Sequence, residues 1–317
     1  MKATIINAIS KTVLPLCIGF MCSIAHAQTN SKLDFSTMDI KKIEHYAKKG
    51  NAEAQCALAN NYYFGHDVEI NYTKTVFWLK KAAKQGLTQA LYNLGTCYFN
   101  GKGVTKDPAQ GIFWYEKAAE KGHVRAQYYL GESYYEGNNI PQDFTKAVYW
   151  FEKAANQESP EAQCLLGNCY FNGEGVTQNF EKAVFWFEKA AEQGISESQS
   201  NLAMCYREGI GVEKNGTKAI YWLNEAAENG NAPSQYNLGY CYEKGDNVEK
   251  NYFLAILWYQ QSAEQGFPIA QARLGECYKD GIGVEKDNDK AIYWLKKAAE
   301  QGYLQAEEVL KQIDKQK

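Results

Sequence analysis

Residues 87–122 read LTQALYNLGTCYFNGKGVTKDPAQGIFWYEKAAEKG, and this stretch recurs seven times along the chain. The seven tryptophans, Trp78, Trp114, Trp150, Trp186, Trp222, Trp258 and Trp294, stand 36 residues apart with no slippage. A fixed period of roughly 20–50 residues marks a repeat architecture, in which each unit buries its apolar face against its neighbours. The 317 residues, which would otherwise suggest two globular domains, therefore read as one array.

Seven full repeats span 51–86, 87–122, 123–158, 159–194, 195–230, 231–266 and 267–302, preceded by a half repeat at 39–50. In the first half of a repeat, Ala90, Leu94, Gly95 and Tyr98 fall on one helical face. The leucine recurs from Leu58 to Leu310 and the tyrosine from Tyr62 to Tyr278. A small residue beside the leucine would let the two helices of a repeat approach closely. Gly101 has a glycine equivalent in every repeat, and two residues later come Asp67, Gly103, Asn139, Gly175, Gly211, Asn247 and Gly283. These are the residue types that tolerate a left-handed backbone, so positive φ is expected there. Asn71, Asp107, Asp143, Asn179, Asn215, Asn251 and Asp287 then read as N-caps of the second helix, with Pro108 at its first position. Ala83 and its equivalents never change, which implies a contact with no room for a larger side chain. Glycine ends every repeat except the third, where Glu158 stands instead, so the following junction is expected to differ in angle.

The pattern AxxxLGxxYxxGxGVxxD…AxxWxxKAAExG resembles the Sel-1-like repeats, relatives of the tetratricopeptide repeats, over residues 39–317. The resemblance implies an all-α fold: a right-handed superhelical α-solenoid of antiparallel helix pairs with first helices on the concave side. It also implies an adaptor that holds a protein or peptide partner. Many bacterial members are exported and affect envelope function or encounters with host cells.

The N-terminus is consistent with export. Lys2 and Lys11 precede an apolar run from Val13 to Ala25, and Ala25-His26-Ala27 offers a small-x-small cleavage site, so 1–27 reads as a signal peptide. The expected location is periplasmic or secreted. Residues 28–38 read as a loose polar leader, and 303–317 as a C-terminal capping helix with Ala306 and Leu310 in register. Without 1–27 the chain carries 32 basic against 37 acidic residues, which disfavours nucleic acid as a partner. No later segment is apolar enough over about 18 residues to span a membrane. A monomer is expected.

Catalytic constellations are sparse. Seven cysteines follow the signal segment, five of them at one repeat position: Cys97, Cys169, Cys205, Cys241 and Cys277. Neighbouring first helices lie at least about 8–10 Å apart, whereas a disulfide needs Cα atoms within about 7 Å, so buried thiols are expected. A cysteine-rich branch of the family, with a bridged pair per repeat, is associated with slow β-lactam hydrolysis. This chain departs from that pattern, and residues 28–317 contain neither Ser-x-x-Lys nor Lys-Thr-Gly. His45, His66 and His123 lie in different repeats and read as surface residues rather than zinc ligands. Glu116-Lys117 and Glu152-Lys153 read as solubilising pairs, and neither metal nor cofactor is expected.

The remaining signal is variation at repeated positions. The resemblance places ligand contacts on first helices at the equivalents of Tyr92, Thr96 and Phe99. The third of these is aromatic in repeats one to four (Tyr63, Phe99, Tyr135 and Phe171) and charged from Arg207 onward, through Glu243 and Lys279, with Glu276 charged at the second. Tyr92, Phe99, Tyr128, Tyr135 and Phe171 are the expected anchors, with Asn60, Thr96 and Asn168 bonding the ligand backbone. The alternatives are slow β-lactam or cell-wall hydrolysis, and a structural envelope protein that assembles end to end.

Overall fold

The computed structural model describes residues 33–314 apart from Ser36, so the signal segment lies outside the described residues. All regular structure among the described residues is helical, in sixteen helices. The chain divides into two compact units, 1–141 and 142–317. The first holds α1 (Ile40–Lys48), α2 (Ala52–Phe64), α3 (Tyr72–Lys84), α4 (Thr88–Asn100), α5 (Pro108–Glu120) and α6 (Val124–Glu136). The second holds α7 (Phe144–Ala155), α8 (Pro160–Asn172), α9 (Phe180–Glu192), α10 (Ser196–Glu208) and α11 (Gly216–Glu228). It continues with α12 (Ala232–Lys244), α13 (Tyr252–Glu264), α14 (Pro268–Asp280), α15 (Asn288–Glu300) and α16 (Leu304–Asp314). Within each unit every helix packs on the next one in sequence. No described helix is long and apolar enough to cross a membrane.

Local chemistry sets the helix ends. Each second helix is N-capped by the expected Asn or Asp, whose side chain accepts from the backbone N–H three residues on, at 2.8–3.1 Å. The position read as left-handed has positive φ in all seven repeats, from 56° at Asp67 to 74° at Gly103. At Gly103 and Gly175 the reason is also steric. An added Cβ would sit 2.1 Å from the Tyr72 carbonyl oxygen and 2.2 Å from that of Phe144, so the loop rests directly on the start of the preceding second helix.

In every repeat but the third, whose helices belong to different units, the two helices pack together; the repeated leucine is buried in all seven repeats. The small residue beside it is required: a Cβ on Gly95 would lie 2.6 Å from the Tyr115 ring, and one on Gly167 would lie 2.6 Å from Phe187.

Successive repeats are joined by a feature that the sequence reading passed over. Gln55, Gln127, Gln163, Gln199, Gln235 and Gln271 are buried. Each donates its amide to the carbonyl of the unvarying alanine that ends the preceding second helix, at 3.0–3.2 Å. Five of them also accept, at 2.7–3.0 Å, from an amide side chain 30 residues on: Gln85, Gln193, Asn229, Gln265 and Gln301. Each of these alanine carbonyls also accepts from the backbone N–H three residues on, at 2.9–3.1 Å, so the glutamine supplies a second hydrogen bond in a place closed to water. Tyrosine adds a second tie. Tyr134, Tyr170 and Tyr206 donate to Glu116, Glu152 and Glu188 of the preceding helix at 2.9–3.3 Å. Glu116 and Glu152 are therefore hydrogen-bond acceptors between repeats, and not only solubilising charges.

Both ends of the described chain are covered. Phe35 and Met38 pack on the cluster of Ile43, Leu58 and Tyr62, so the end of the expected loose leader is part of the core. At the other end α16 buries Ala306 and Ile313 against Leu295 and Ala298.

The turn at Glu158, after repeat three, keeps the local hydrogen bonds of the other junctions. That residue adopts φ 64°, and the bonds from Glu158 N to Ala155 O and from Ser159 N to Ala154 O measure 3.0 and 3.1 Å. The equivalent bonds at Gly194 and Ile195 have the same lengths, 3.0 and 3.1 Å. A β-carbon in left-handed backbone costs about 1–2 kcal/mol. Glu158→Gly should therefore raise stability by about 1 kcal/mol in equilibrium urea unfolding.

Candidate functional site

The expected first-helix residues divide by burial. Tyr92 is 1% exposed and Thr96 is fully buried, so in this conformation neither can touch a partner. On α4 they close around Tyr115: the Tyr92 ring stacks on it at 5.4 Å, and the Thr96 hydroxyl lies 3.1 Å from its hydroxyl. Phe99 is half-buried and stacks on the same ring at 5.0 Å, over Gly111, where a Cβ would meet it at 2.5 Å. Tyr128 and Tyr135 on α6 are half-buried, and the Tyr128 hydroxyl donates to Glu132 at 3.0 Å. Phe171 on α8 is half-buried too, with its ring edge-on to Phe180 at 5.2 Å.

The two asparagines are occupied. Asn60 accepts from Asn93 at 3.3 Å. Asn168 accepts from Asn201 and donates to Glu197, both at 3.1 Å. Their amides tie adjacent repeats together. Asn60 and Asn168 are half-buried, as are Phe99, Tyr128, Tyr135 and Phe171, so all six keep part-exposed surface on these helices.

His123 is not a surface histidine. It precedes α6 and caps it: Nδ1 accepts from the Ala126 N–H at 3.2 Å, while Nε2 lies 3.3 Å from Gln89 Oε1. Because Nδ1 accepts, the proton sits on Nε2 and is donated to Gln89. The ring stacks on Tyr92 at 4.4 Å. Burial first, and the Arg125 charge second, bring its pKa down to about 4.

The charged first-helix positions of the later repeats largely neutralise one another. Glu243 is only 4% exposed and accepts from the Tyr259 hydroxyl at 2.8 Å and from Arg273 at 2.9 and 2.6 Å. Arg273 also bonds Glu276 at 2.7 Å, and Lys244 reaches Glu243 at 2.7 Å. Burial works to raise the Glu243 pKa, but the bonds from Lys244, Arg273 and Tyr259 outweigh it and hold the carboxyl below its usual range. Sequence spacing alone showed a run of charges, not that they face each other.

A second surface escaped the sequence reading. The residue before each tryptophan is large, apolar and 40–54% exposed: Phe77, Phe113, Tyr149, Phe185, Tyr221, Leu257 and Tyr293. Six of these rings pack on the adjacent tryptophan at 4.8–5.1 Å. A lysine four residues on covers several of them, as Lys81 does Phe77 at 4.6 Å.

Among the described residues the seven thiols are all buried and none is in a disulfide. Burial pushes the pKa of Cys97, Cys169, Cys205 and Cys277 up to about 12 and that of Cys241 to about 11. Such groups are poor nucleophiles, because the thiolate is the reactive form. Among the described residues no three His, Cys, Asp or Glu side chains converge to hold a metal ion.

The His123 cap makes stability depend on pH. Its folded pKa of about 4 lies below the unfolded value near 6.5, so between the two the unfolded chain binds the extra proton. Its contribution is complete above about pH 6.5 and is lost as pH falls toward 4, on the order of 2 kcal/mol. His123→Asn keeps a capping side chain, as Asn51 and Asn231 do in their repeats. Melting curves at pH 7, 5.5 and 4.5 should show a shallower acid decline for His123→Asn than for the native chain.

The chain matches the Sel1 repeat family over residues 52–87, 88–123, 124–159, 160–195, 196–231, 232–267 and 268–303. Among solved structures it is similar to a protective antigen present in uropathogenic Escherichia coli strains, described as displaying an SLR fold, with 39% identity and a TM-score of 0.80. That likeness covers 85% of this chain and 58% of the other, so this chain spans less than two thirds of the length of the E. coli protein. It is also similar to a Sel1 repeat protein from Oxalobacter formigenes, with 37% identity and a TM-score of 0.73, over 86% of this chain and 79% of that one. No curated protein matches it. Seven consecutive matching repeats, each built as a packed helix pair or the two halves of one, settle the family: the chain belongs to the Sel1 repeat proteins.

Proposed function

We propose that the protein is an exported, non-enzymatic scaffold that holds a protein or peptide partner on the first-helix face of its repeats. One observation carries this reading. The repeated leucine is buried in every unit, while Phe99, Tyr128, Tyr135 and Phe171, at first-helix positions that change between repeats, keep part-exposed ring surface. Aromatic rings bury a large area on binding with few rotamers to freeze, which makes them effective anchors. Repeat scaffolds of this family support protein–protein interaction, and the antigenic role stated for the E. coli relative supports export and an envelope or host-facing setting. The signal-like start at 1–27 points the same way. Buried thiols with raised pKa values speak against a cysteine nucleophile.

Photo-cross-linking side chains placed at 135 and 171 test the reading. They should capture one protein species from an extract of the native cells, and cross-linkers at 149 and 185 should not; capture at 149 and 185 alone would move recognition to the outer aromatic row. Tyr135→Ala with Phe171→Ala should weaken that capture at least tenfold. The double variant should also lose less stability than Tyr92→Ala, for which about 3–5 kcal/mol is expected from the loss of a fully buried ring. Incubation with nitrocefin should leave the chromophore uncleaved.

A further inference from the structure

The fifth and sixth repeats contain a recess of about 300 Å³ between α10, the start of α11 and α12. Its origin can be read by comparing repeats. In repeats one and four, an aromatic residue late in the first helix packs edge-on against an aromatic at the first position of the second helix. The pairs are Tyr63 with Tyr72 at 5.3 Å and Phe171 with Phe180 at 5.2 Å. In repeat five the same two positions hold Arg207 and Gly216. Two rings are missing, a cation stands in place of one, and the space stays open.

The loop of the following repeat has adjusted to this change. Where the second helix starts with Tyr72, Phe144, Phe180 or Tyr252, the loop residue resting on it is Gly103, Gly175, Gly211 or Gly283. Where it starts with Gly216, the loop residue is Asn247, whose Oδ1 would lie 1.9 Å from an added Cβ. An amide thus lines the recess where other repeats have packed hydrocarbon. Repeat seven also lacks the pair, with Lys279 and Asn288, but only α16 follows it.

The lining carries both signs of charge. Arg207 and Lys214 supply two cations, and Glu208 and Asp246 two carboxylates. The bond from Arg207 to Glu208 uses Nε at 3.0 Å and leaves its Nη pair to meet a second carboxylate. Arg207 and Asp246 act in opposite directions on the thiol of Cys241, so both charges reach the same wall. Asn247 Nδ2 donates to Asp246 at 2.7 Å, Asn237 can donate or accept, and Tyr240, 45% exposed, carries the Lys244 ammonium 5.5 Å from its ring centroid. A dianion such as phosphate would face two fixed carboxylates, and a simple cation would face two fixed positive charges. A ligand carrying one charge of each sign finds groups of both signs in the lining. The volume lies at the lower end of small-molecule sites, roughly 300–1,000 Å³, and suits one or two residues of a peptide at most.

We propose that this recess binds a small zwitterion of the α-amino-acid class, with its carboxylate on Arg207 and Lys214 and its ammonium on Asp246 and Glu208. The site does not depend on a protein partner elsewhere on the chain. Ligand-observed NMR and calorimetry on the purified chain, with glycine, glutamate, lysine, phenylalanine and Ala-Ala as probes, provide the test. Free zwitterions should bind saturably, and N-acetylation or amidation should each weaken binding at least tenfold, as should Arg207→Ala. The tighter of amino acid and dipeptide identifies the source. Gly216→Phe with Asn247→Gly rebuilds the arrangement of Phe180 and Gly211, so it should fill the recess, keep the melting temperature and abolish binding. No binding by any zwitterion, equal binding by the blocked forms, or unchanged binding by the filled variant would overturn the proposal.

Discussion

The structure depends on an amide buried between repeats. Near the end of a second helix the alanine carbonyl accepts one turn N–H from its own backbone, and the next helix covers its second lone pair, so water cannot serve there. A glutamine on that next helix reaches back to the alanine carbonyl, and in five repeats its own oxygen is met by a second amide. An apolar contact would tolerate small slips between repeats. A buried hydrogen bond does not, because a donor or acceptor left unpaired costs about 1–3 kcal/mol.

With the register held in this way, side chains elsewhere are free to change, but not independently of one another. The loop residue that rests on the preceding second helix is glycine when that helix begins with Tyr or Phe, and asparagine when it begins with Pro108 or Gly216. Tyr92 varies from its equivalents, yet it is enclosed by Tyr115 and by His123, which also varies. Glu243 replaces an aromatic and is enclosed by Arg273 of the next repeat. Much of the variation along the chain is thus absorbed by compensating changes one repeat away. Only the remainder is left as surface that can recognise something else.

The period made the scaffold legible: the leucines, the caps from Asn71 to Asp287, the positive-φ loop residues and the small residue at Gly95 all follow from residue type at a fixed register. The glutamines were equally visible at six of seven equivalent positions, with Leu91 the exception. They were passed over because a polar residue is first read as exposed. A polar residue that recurs with the core's own period should be read as buried and bonded. The site was less legible for a physical reason. Whether a first-helix aromatic is exposed depends on the size of the residue that faces it, as Gly111 admits Phe99 and Tyr115 seals Tyr92. That pairing is set by three-dimensional contact between helices, and one register taken alone does not contain it.

The most direct test concerns the buried amide. Gln235→Leu preserves the bulk, as Leu91 does naturally, and removes one of the two donors to Ala227 O, which keeps Gly230 N, together with the acceptor of the Gln265 amide. Equilibrium urea unfolding should show a loss of about 0.5–1.5 kcal/mol. An unchanged unfolding free energy would mean that apolar stacking alone sets the register, and the central constraint argued for this fold would be wrong.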